Sequence, residues 1–141
     1  MTHEKNFVAR DIETGVIIAN RVNVASTRAK RAIGLLGRNH LESGEGLWIT
    51  PCHGVHTWFM RFDIDVLALD ANGVVVDIVS TMKPWRMRLP KPGAASVLEL
   101  PAGTLVKTGM KIGHHVKIEG SNSAFAPALN YDEGLTPANV R

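Results

Sequence analysis

The sequence of 141 residues has little of what defines several protein classes. It contains one cysteine, Cys52, so no internal disulfide framework can form. Only 6% of its residues are aromatic. Its apolar runs are short, as at residues 74–76, and fall far below the roughly 18 residues that a membrane helix needs. These absences exclude a disulfide scaffold and a helical membrane span.

We expect no export signal, because the first residues, MTHEKNFVARD, are polar and include no apolar segment. We therefore expect a cytoplasmic location, where a single thiol stays reduced. A hydrophobic fraction of 45% and a charged fraction of 21% are typical of a soluble globular protein. We expect one β-rich domain over residues 1–119 and a C-terminal tail, residues 120–141, that is loosely docked or disordered.

The positive charge is concentrated in two segments, although the formal net charge is only +3. Basic residues cluster at 28–38 and again at 83–91, and acidic residues dominate between them. Two such segments could form a face that binds anions. Nucleic acid is not predicted, because Trp85 beside Arg86 is the only pairing of an aromatic with basic residues that resembles a stacking platform.

Short β-prone segments separated by turn residues run through most of the chain. Residues 7–11 and 16–21 flank Gly15 and predict one hairpin, and residues 64–69 and 74–80 flank an Ala-Asn-Gly turn and predict a second. Further strands are predicted at residues 46–49, 55–60, 96–100 and 115–119. In the 55–60 strand, His56, Trp58 and Met60 would share one face.

One helix is predicted near the N-terminus, over residues 28–36, with Ser26 or Thr27 as its cap. A helical turn is expected near residue 105, and residues 83–93 contain three prolines and predict an irregular loop. The predicted fold is therefore mainly β, a single-domain antiparallel β-sandwich or partly open barrel.

Four segments resemble the domain of unknown function 192 (DUF192) family, in the same order along the chain. Residues 31–38, RAIGLLGR, resemble its R-x-x-GLM-x-R element, and residues 45–49, EGLWI, resemble its G-M-L-F segment. Residues 56–66, HTWFMRFDIDV, resemble its F-W-M-x-x-T-x-x-P-L-D core. Residues 97–103, VLELPAG, resemble the first part of its C-terminal element, V-L-E-L-P-A-G…G…G-D. The two later glycines of that element correspond to Gly109 and Gly113.

The resemblance covers roughly residues 20–119 and has three departures. Leu36 replaces the motif methionine, Asp63 stands where proline is usual, and His114 stands near the usual aspartate. The resemblance implies a single mainly-β domain with a helix near its start. It implies no activity, because the family's biochemical role is not established, and many of its members carry export or lipoprotein signals.

Residues 51–56 combine a thiol with two imidazoles. Cys52, His53 and His56 could ligate zinc or copper, but a closed structural site needs a fourth ligand. Cys52 with either histidine could instead form a nucleophile pair, with Gly54 placing a backbone N–H near an oxyanion. Structural roles are the alternative, with the cysteine packed as a small apolar residue. No cofactor is predicted.

Two carboxylates sit in apolar strand segments. Asp65 precedes a run of apolar residues, where a buried carboxylate would need a partner. Glu99 lies between Leu98 and Leu100, and we expect it to be exposed on the outer face of a sandwich. The two could act as an acid–base pair only if they faced one cleft.

Three functions remain open from the sequence, and one of them is a purely structural assembly piece whose apolar face forms an oligomer. The other two concern a binding site. The first is a non-catalytic domain that binds a small polar or anionic ligand, or a protein partner, in a cleft lined by His56, Trp58, Asp65, Trp85 and Arg86. The second is a hydrolase-like enzyme that uses Cys52, His53, His56 and Asp65, with or without a metal. No complete catalytic constellation is visible, so whether the protein is an enzyme is not decided, and we favour the binding domain.

Overall fold

The computed structural model describes residues 6–27, 30–31, 34–52, 54–89 and 91–121. These residues form nine strands and one short helix, α1 (Thr104–Thr108). The strands are β1 (Phe7–Asp11), β2 (Ile17–Ala25), β3 (Glu45–Ile49), β4 (Val55–His56), β5 (Ile64–Leu69), β6 (Val75–Met82), β7 (Met87–Arg88), β8 (Ser96–Pro101) and β9 (Val116–Gly120). None of the helices in this described part has the length and apolar character to cross a bilayer.

Seven strands form one curled sheet, a half-barrel, in the order β6-β5-β8-β3-β2-β1-β9. The remaining two, β4 and β7, pair with each other in a small second sheet. This confirms the predicted mainly-β class and the partly open barrel. The pairing is antiparallel except between β2 and β3, which run parallel. A parallel pair requires a crossover, and residues 26–44 provide it.

Both predicted hairpins are present. β1 pairs antiparallel with β2, and Gly15 in the turn between them has a φ of 75°. β5 pairs antiparallel with β6, and Gly73 has a φ of 86° in the turn that joins them. Glycine meets no steric penalty in this left-handed region, so it suits both turns.

The predicted N-terminal helix is described only in part. Thr27 caps it as expected, because its Oγ1 accepts a hydrogen bond of 3.1 Å from the backbone N–H of Lys30. Lys30 and Arg31 are helical, and residues 34–37 form turns. Arg28, Ala29, Ala32 and Ile33 lie outside the described residues, as does the tail from residue 122, so the helix bounds and the state of the tail stay predictions.

Two predictions for the middle of the chain were wrong. The strand expected at residues 55–60 ends at His56, and residues 57–60 form a turn that buries Met60 and exposes Trp58. The predicted common face of His56, Trp58 and Met60 therefore does not exist. The loop expected at residues 83–93 contains β7, which pairs with β4. Local alternation favoured one long strand, but the partner that β4 has among the described residues, β7, is two residues long.

The curled sheet has apolar clusters on both faces. Leu98 and Leu100 of β8 join the larger cluster, in which α1 packs through Leu105. Val97 of the same strand joins a second cluster with Val66 of β5. Successive residues of a strand point to opposite faces, so β8 is buried on both sides along residues 96–100.

A buried aspartate joins three elements on the larger-cluster side. Asp65 of β5 accepts 2.8 Å hydrogen bonds from the backbone N–H groups of Thr81 and Leu105. The pairing of β5 with β6 is irregular between Ile64 and Val66, and Thr81 has a φ of 55° there. The carboxylate thus binds a backbone group at the irregularity and another in the first turn of α1.

We expect Asp65→Asn to lower the free energy of unfolding by about 1–3 kcal/mol, measured by urea denaturation. The asparagine amide has one acceptor oxygen, so one of the two N–H groups loses its partner inside the protein. The control is Asp63→Asn, which removes a 3.4 Å surface contact with Lys83 and should cost less than about 1 kcal/mol. Equal losses for the two variants would contradict the assigned role of Asp65.

Candidate functional site

A cleft of about 200 Å³ opens on the face of the sheet that carries Val97 and Val66. Its volume corresponds to about seven water molecules at their liquid density. Its walls are mainly apolar and come from the segment before β3, from β3 itself and from the segment around β4. The lining residues are Arg31, Gly34, Leu35, Leu36, Ile49, Pro51, Cys52, Gly54, Val55, His56, Met60 and Glu99.

The central acidic residue of the cleft is Glu99 of β8. It is only 4% exposed, and it pairs with Leu47 of β3 on one side and Val66 of β5 on the other. Its Oε2 atom is buried and has no hydrogen-bond partner. Burial without compensating hydrogen bonds raises the pKa of this carboxyl group to about 7. The cleft therefore contains an acid that changes its charge near neutral pH.

The expectation that Glu99 is exposed on an outer face was wrong. β8 lies at the centre of the sheet, between β5 and β3, so the strand itself has no free edge. The segments that contain Leu35, Cys52 and Met60 cover the face to which Glu99 points. In the sequence, the sign of a buried acid at this position was the placing of a charged residue between Leu98 and Leu100. Strand alternation alone could not show that both faces would be covered.

The other polar groups of the cleft come from three separate segments. Arg31 lines it from the helical segment, and its Nη1 donates a 3.3 Å hydrogen bond to the Ser26 carbonyl. Cys52 donates a 2.9 Å hydrogen bond from its Sγ to the Gly54 carbonyl. His56, on β4, is exposed and lies at a ring-centroid distance of 4.9 Å from Trp58. The cleft thus combines an apolar wall with one permanent positive charge.

Only one of the five residues predicted to bind a ligand, His56, lines this cleft. Trp58 contacts His56 at the surface, and Trp85 packs against Phe59 with a centroid distance of 4.7 Å. Arg86 follows Trp85 and is exposed.

Asp65 and Glu99 lie on opposite faces of the sheet. In the pairing of β5 with β8, Asp65 is opposite Leu100 and Val66 is opposite Glu99, and successive residues of a strand point to opposite faces. The two carboxylates that the sequence offered as an acid–base pair therefore do not share a cleft.

The predicted metal ligands are described in part, since His53 lies outside the described residues. Cys52 and His56 both line the cleft. Among the described residues, donor atoms with the mutual spacing of a metal site belong instead to Asp11, Glu13 and His114, all within 4.8 Å of one another. Two of these residues already interact with each other, because Asp11 Oδ2 lies 2.8 Å from His114 Nδ1.

Burial opposes the ionisation of Asp11, but hydrogen bonds from His114, Thr14 and the backbone of Glu13 hold the pKa of its carboxyl group below 3.8. Asp11 and His114 come from opposite ends of the described chain. Their contact therefore fastens the end of β1 to the segment that precedes β9, which is a structural role.

A second cavity, of about 280 Å³, lies beside the β5–β6 turn and includes Trp48, Asp70 and His115 in its lining. The indole Nε1 of Trp48 is buried without a partner. Asp70 is engaged, because its Oδ1 accepts hydrogen bonds from the backbone N–H groups of Asn72 and Val74. The unpartnered polar atom of this cavity is a neutral donor, whereas that of the first cleft belongs to an ionisable carboxyl group, so the Glu99 cleft is the candidate site.

The DUF192 family profile, described as "Uncharacterized ACR", matches residues 10–118. The chain belongs to the DUF192 family. Members similar to it include a UPF0127 protein of Pyrococcus abyssi, 36% identical over 103 residues that span 69% of this chain and 85% of that protein. A UPF0127 protein of Thermococcus sibiricus is 32% identical over 118 residues, which span 79% and 75% of the two chains.

A solved structure shares the DUF192 fold seen here. It is a protein of unknown function from Novosphingobium aromaticivorans, with a TM-score of 0.69, 21% sequence identity, and coverage of 79% of this chain and 83% of that one. At this identity the likeness concerns the fold alone. Membership of the DUF192 family therefore supplies an architecture, and the function has to be inferred from the site.

We expect the stability of the protein to fall as pH rises from about 4.5 to about 7, through the ionisation of Glu99. The folded state holds the Glu99 proton more tightly than the unfolded chain, whose glutamate has a pKa near 4.5. The Glu99→Gln variant lacks this ionisable group, so its stability does not fall for this reason. Its unfolding free energy should therefore gain about 3 kcal/mol relative to the parent protein between pH about 4 and about 8.

Urea denaturation across this pH range measures the effect, with Glu42→Gln as the control because Glu42 is 64% exposed. The control should follow the parent at every pH. Parallel stability profiles for the parent and Glu99→Gln would show that Glu99 is solvated or paired in the folded protein.

Proposed function

We propose that this protein is a non-catalytic binding domain whose cleft takes a small anionic ligand with an apolar body. The observation that carries the proposal is the buried Oε2 atom of Glu99, which lines the cleft and has no partner within the protein. An unpaired buried polar atom costs free energy, and a ligand that pairs with it removes that cost.

The charge of the ligand follows from the protonation of Glu99. Burial favours the neutral acid below about pH 7, and a neutral carboxyl group can donate its O–H to an anion. Arg31 adds a permanent positive charge, and its hydrogen bond to the Ser26 carbonyl leaves other N–H donors for the ligand. An anion would therefore receive hydrogen bonds from Arg31 and from protonated Glu99.

The size and shape of the ligand follow from the cleft. A volume of about 200 Å³ lies below the range of pockets that hold drug-sized molecules. Leu35, Ile49, Val55 and Met60 provide apolar walls for a short hydrocarbon portion. A carboxylate with a short aliphatic chain fits both the walls and the charge.

Binding is favoured over catalysis by the state of Cys52. Its Sγ lies 2.9 Å from the Gly54 carbonyl, a contact that suits a thiol donor rather than a thiolate. A nucleophilic cysteine acts as a thiolate, usually next to a base that has taken the proton. The hydrolase-like alternative would need Cys52 to break this hydrogen bond first.

Butyrate and butylamine form a matched pair of probes, because they have similar chains and opposite charges. We expect calorimetric titration to detect butyrate but not butylamine, with an affinity for butyrate that falls about tenfold per pH unit above about 7 as Glu99 ionises. Glu99→Gln should bind butyrate with little dependence on pH, because the amide is a neutral donor at every pH used. Arg31→Gln should weaken binding by about tenfold or more.

Arg38→Gln is the matched control for Arg31→Gln, because Arg38 pairs with Glu45 and does not line the cleft. It should leave butyrate binding unchanged. Binding of butylamine that strengthens with rising pH and disappears in Glu99→Gln would reverse the proposed charge of the ligand. Absence of binding for both probes would reject a small aliphatic ligand.

A further inference from the structure

Exposed apolar side chains are gathered on two neighbouring turns and on the strand that follows the second turn. Trp58 and Phe59 are the central residues of the turn at 57–60, and Trp85 has the corresponding place in the turn at 83–86. We call the group the aromatic turn surface. It consists of Trp58, Phe59, Trp85, Met87 and Leu89, whose exposed fractions are 42%, 68%, 58%, 57% and 71%.

Four members of this surface are connected by ring contacts and strand pairing. The rings of Phe59 and Trp85 are 4.7 Å apart, and Trp58 packs on His56 at 4.9 Å. His56 pairs with Met87 across the β4–β7 sheet. Along residues 85–89 apolar and basic residues alternate, and Trp85, Met87 and Leu89 are all exposed.

Two of the exposed aromatic residues have strained backbone conformations. Phe59 has a φ of 65° and Trp85 a φ of 62°, in the left-handed region that bulky residues rarely occupy. Such conformations persist only where the surrounding structure imposes them, and they concentrate at functional positions. Here both strained residues expose an aromatic ring to solvent. A polar residue at either position would lose no packing inside the protein.

The surrounding structure that imposes the strain is centred on Thr57, which is fully buried between the two turns. Its Oγ1 donates to the Lys83 carbonyl at 2.6 Å and accepts from the Arg86 N–H at 3.0 Å. Its backbone N–H donates to the Arg86 carbonyl, and its carbonyl accepts from the Trp85 N–H. The aromatic turn surface is therefore held in place before any partner arrives.

Positive charge surrounds the surface. Exposed basic residues flank both turns: Arg61, Lys83, Arg86, Arg88 and Lys91.

The nearby acids, Asp63 and Asp77, are paired with Lys83 and Arg88. The hydrogen bonds from Arg88 hold the pKa of the Asp77 carboxyl group below 3.8, so this acid stays ionised and satisfied. Arg61 and Arg86 leave a surplus of positive charge beside the apolar side chains.

We infer that the aromatic turn surface docks onto a lipid bilayer that carries anionic headgroups. Tryptophan and phenylalanine at turn apices fit the interfacial layer of a bilayer, and flanking arginine and lysine attract anionic lipid. Met87 and Leu89 favour this partner over single-stranded nucleic acid, because aliphatic side chains offer hydrocarbon contact but no platform for stacking bases. The inference does not depend on the cleft at Glu99.

Co-sedimentation of the purified chain with vesicles tests the inference. One set of vesicles contains phosphatidylcholine and phosphatidylglycerol in equal amounts, and the other contains phosphatidylcholine alone. We expect the chain to bind the anionic vesicles, to bind the neutral ones more weakly, and to lose affinity for the anionic ones as salt is added.

Three substitutions and two controls separate docking through this surface from general attraction of a basic protein. Phe59→Asn and Trp85→Asn remove a ring and place at each position a residue that tolerates positive φ, and each should weaken binding about tenfold or more. Ile112→Asn is the matched control, because Ile112 is 63% exposed outside the surface. Arg86→Gln should weaken binding to anionic vesicles more than the control Lys111→Gln does.

Circular dichroism and urea denaturation establish that each variant is folded. Failure of the parent chain to bind anionic vesicles would overturn the inference. Equal losses for Phe59→Asn and Ile112→Asn would also overturn it, because the attraction would then be non-specific. Binding of oligothymidine that depends on Trp85, or a parent dimer that Trp85→Asn converts to a monomer, would assign the surface to another partner and reject the lipid.

Discussion

Strand β8 (Ser96–Pro101) is hydrogen-bonded to a neighbour on each side and covered on both faces, and the arrangement of the protein depends on that position. A residue in its middle can reach neither a sheet edge nor open solvent by a small movement. Glu99 is such a residue and is only 4% exposed, so its carboxyl group is largely removed from solvent. The raised pKa of Glu99 is therefore a consequence of sheet order.

The cleft exists because the cover over Glu99 is incomplete. A fully packed cover would leave a carboxyl group with no partner and no access, which proteins usually avoid. The segments that carry Arg31, Cys52 and Met60 pack against the sheet but leave about 200 Å³ above it. The proposed function rests on this polar atom, which has no partner in the protein and lies beside an open space.

The cleft and the aromatic turn surface meet at the small β4–β7 sheet. His56 belongs to both, because it lines the cleft and its ring packs on Trp58. The two features nevertheless rest on different physics. The cleft depends on the desolvation of a carboxyl group, and the surface depends on strained turns held by the hydrogen bonds of Thr57. Either proposal can fail while the other stands.

Local sequence predicted the parts of the fold in which neighbouring residues decide the outcome. The hairpin around Gly15, the hairpin around Gly73 and the cap at Thr27 were all found where expected. The segment at 55–60 was mispredicted, because its alternation suits a strand but only a two-residue partner is available for pairing. The role of Thr57 in holding the two turns together could not be predicted, because its hydrogen-bond partners are about thirty residues away in the sequence.

The sequence by itself determined the mainly-β class, the two hairpins, the DUF192 membership and the presence of acids within apolar strands. Those properties follow from composition, spacing and turn chemistry, which act over a few residues. The tertiary structure alone decided that Glu99 is buried, that Asp65 lies on the opposite face, and that Phe59 and Trp85 meet at the surface. Sheet order and long-range hydrogen bonds set these facts, because burial depends on which distant segments cover a strand.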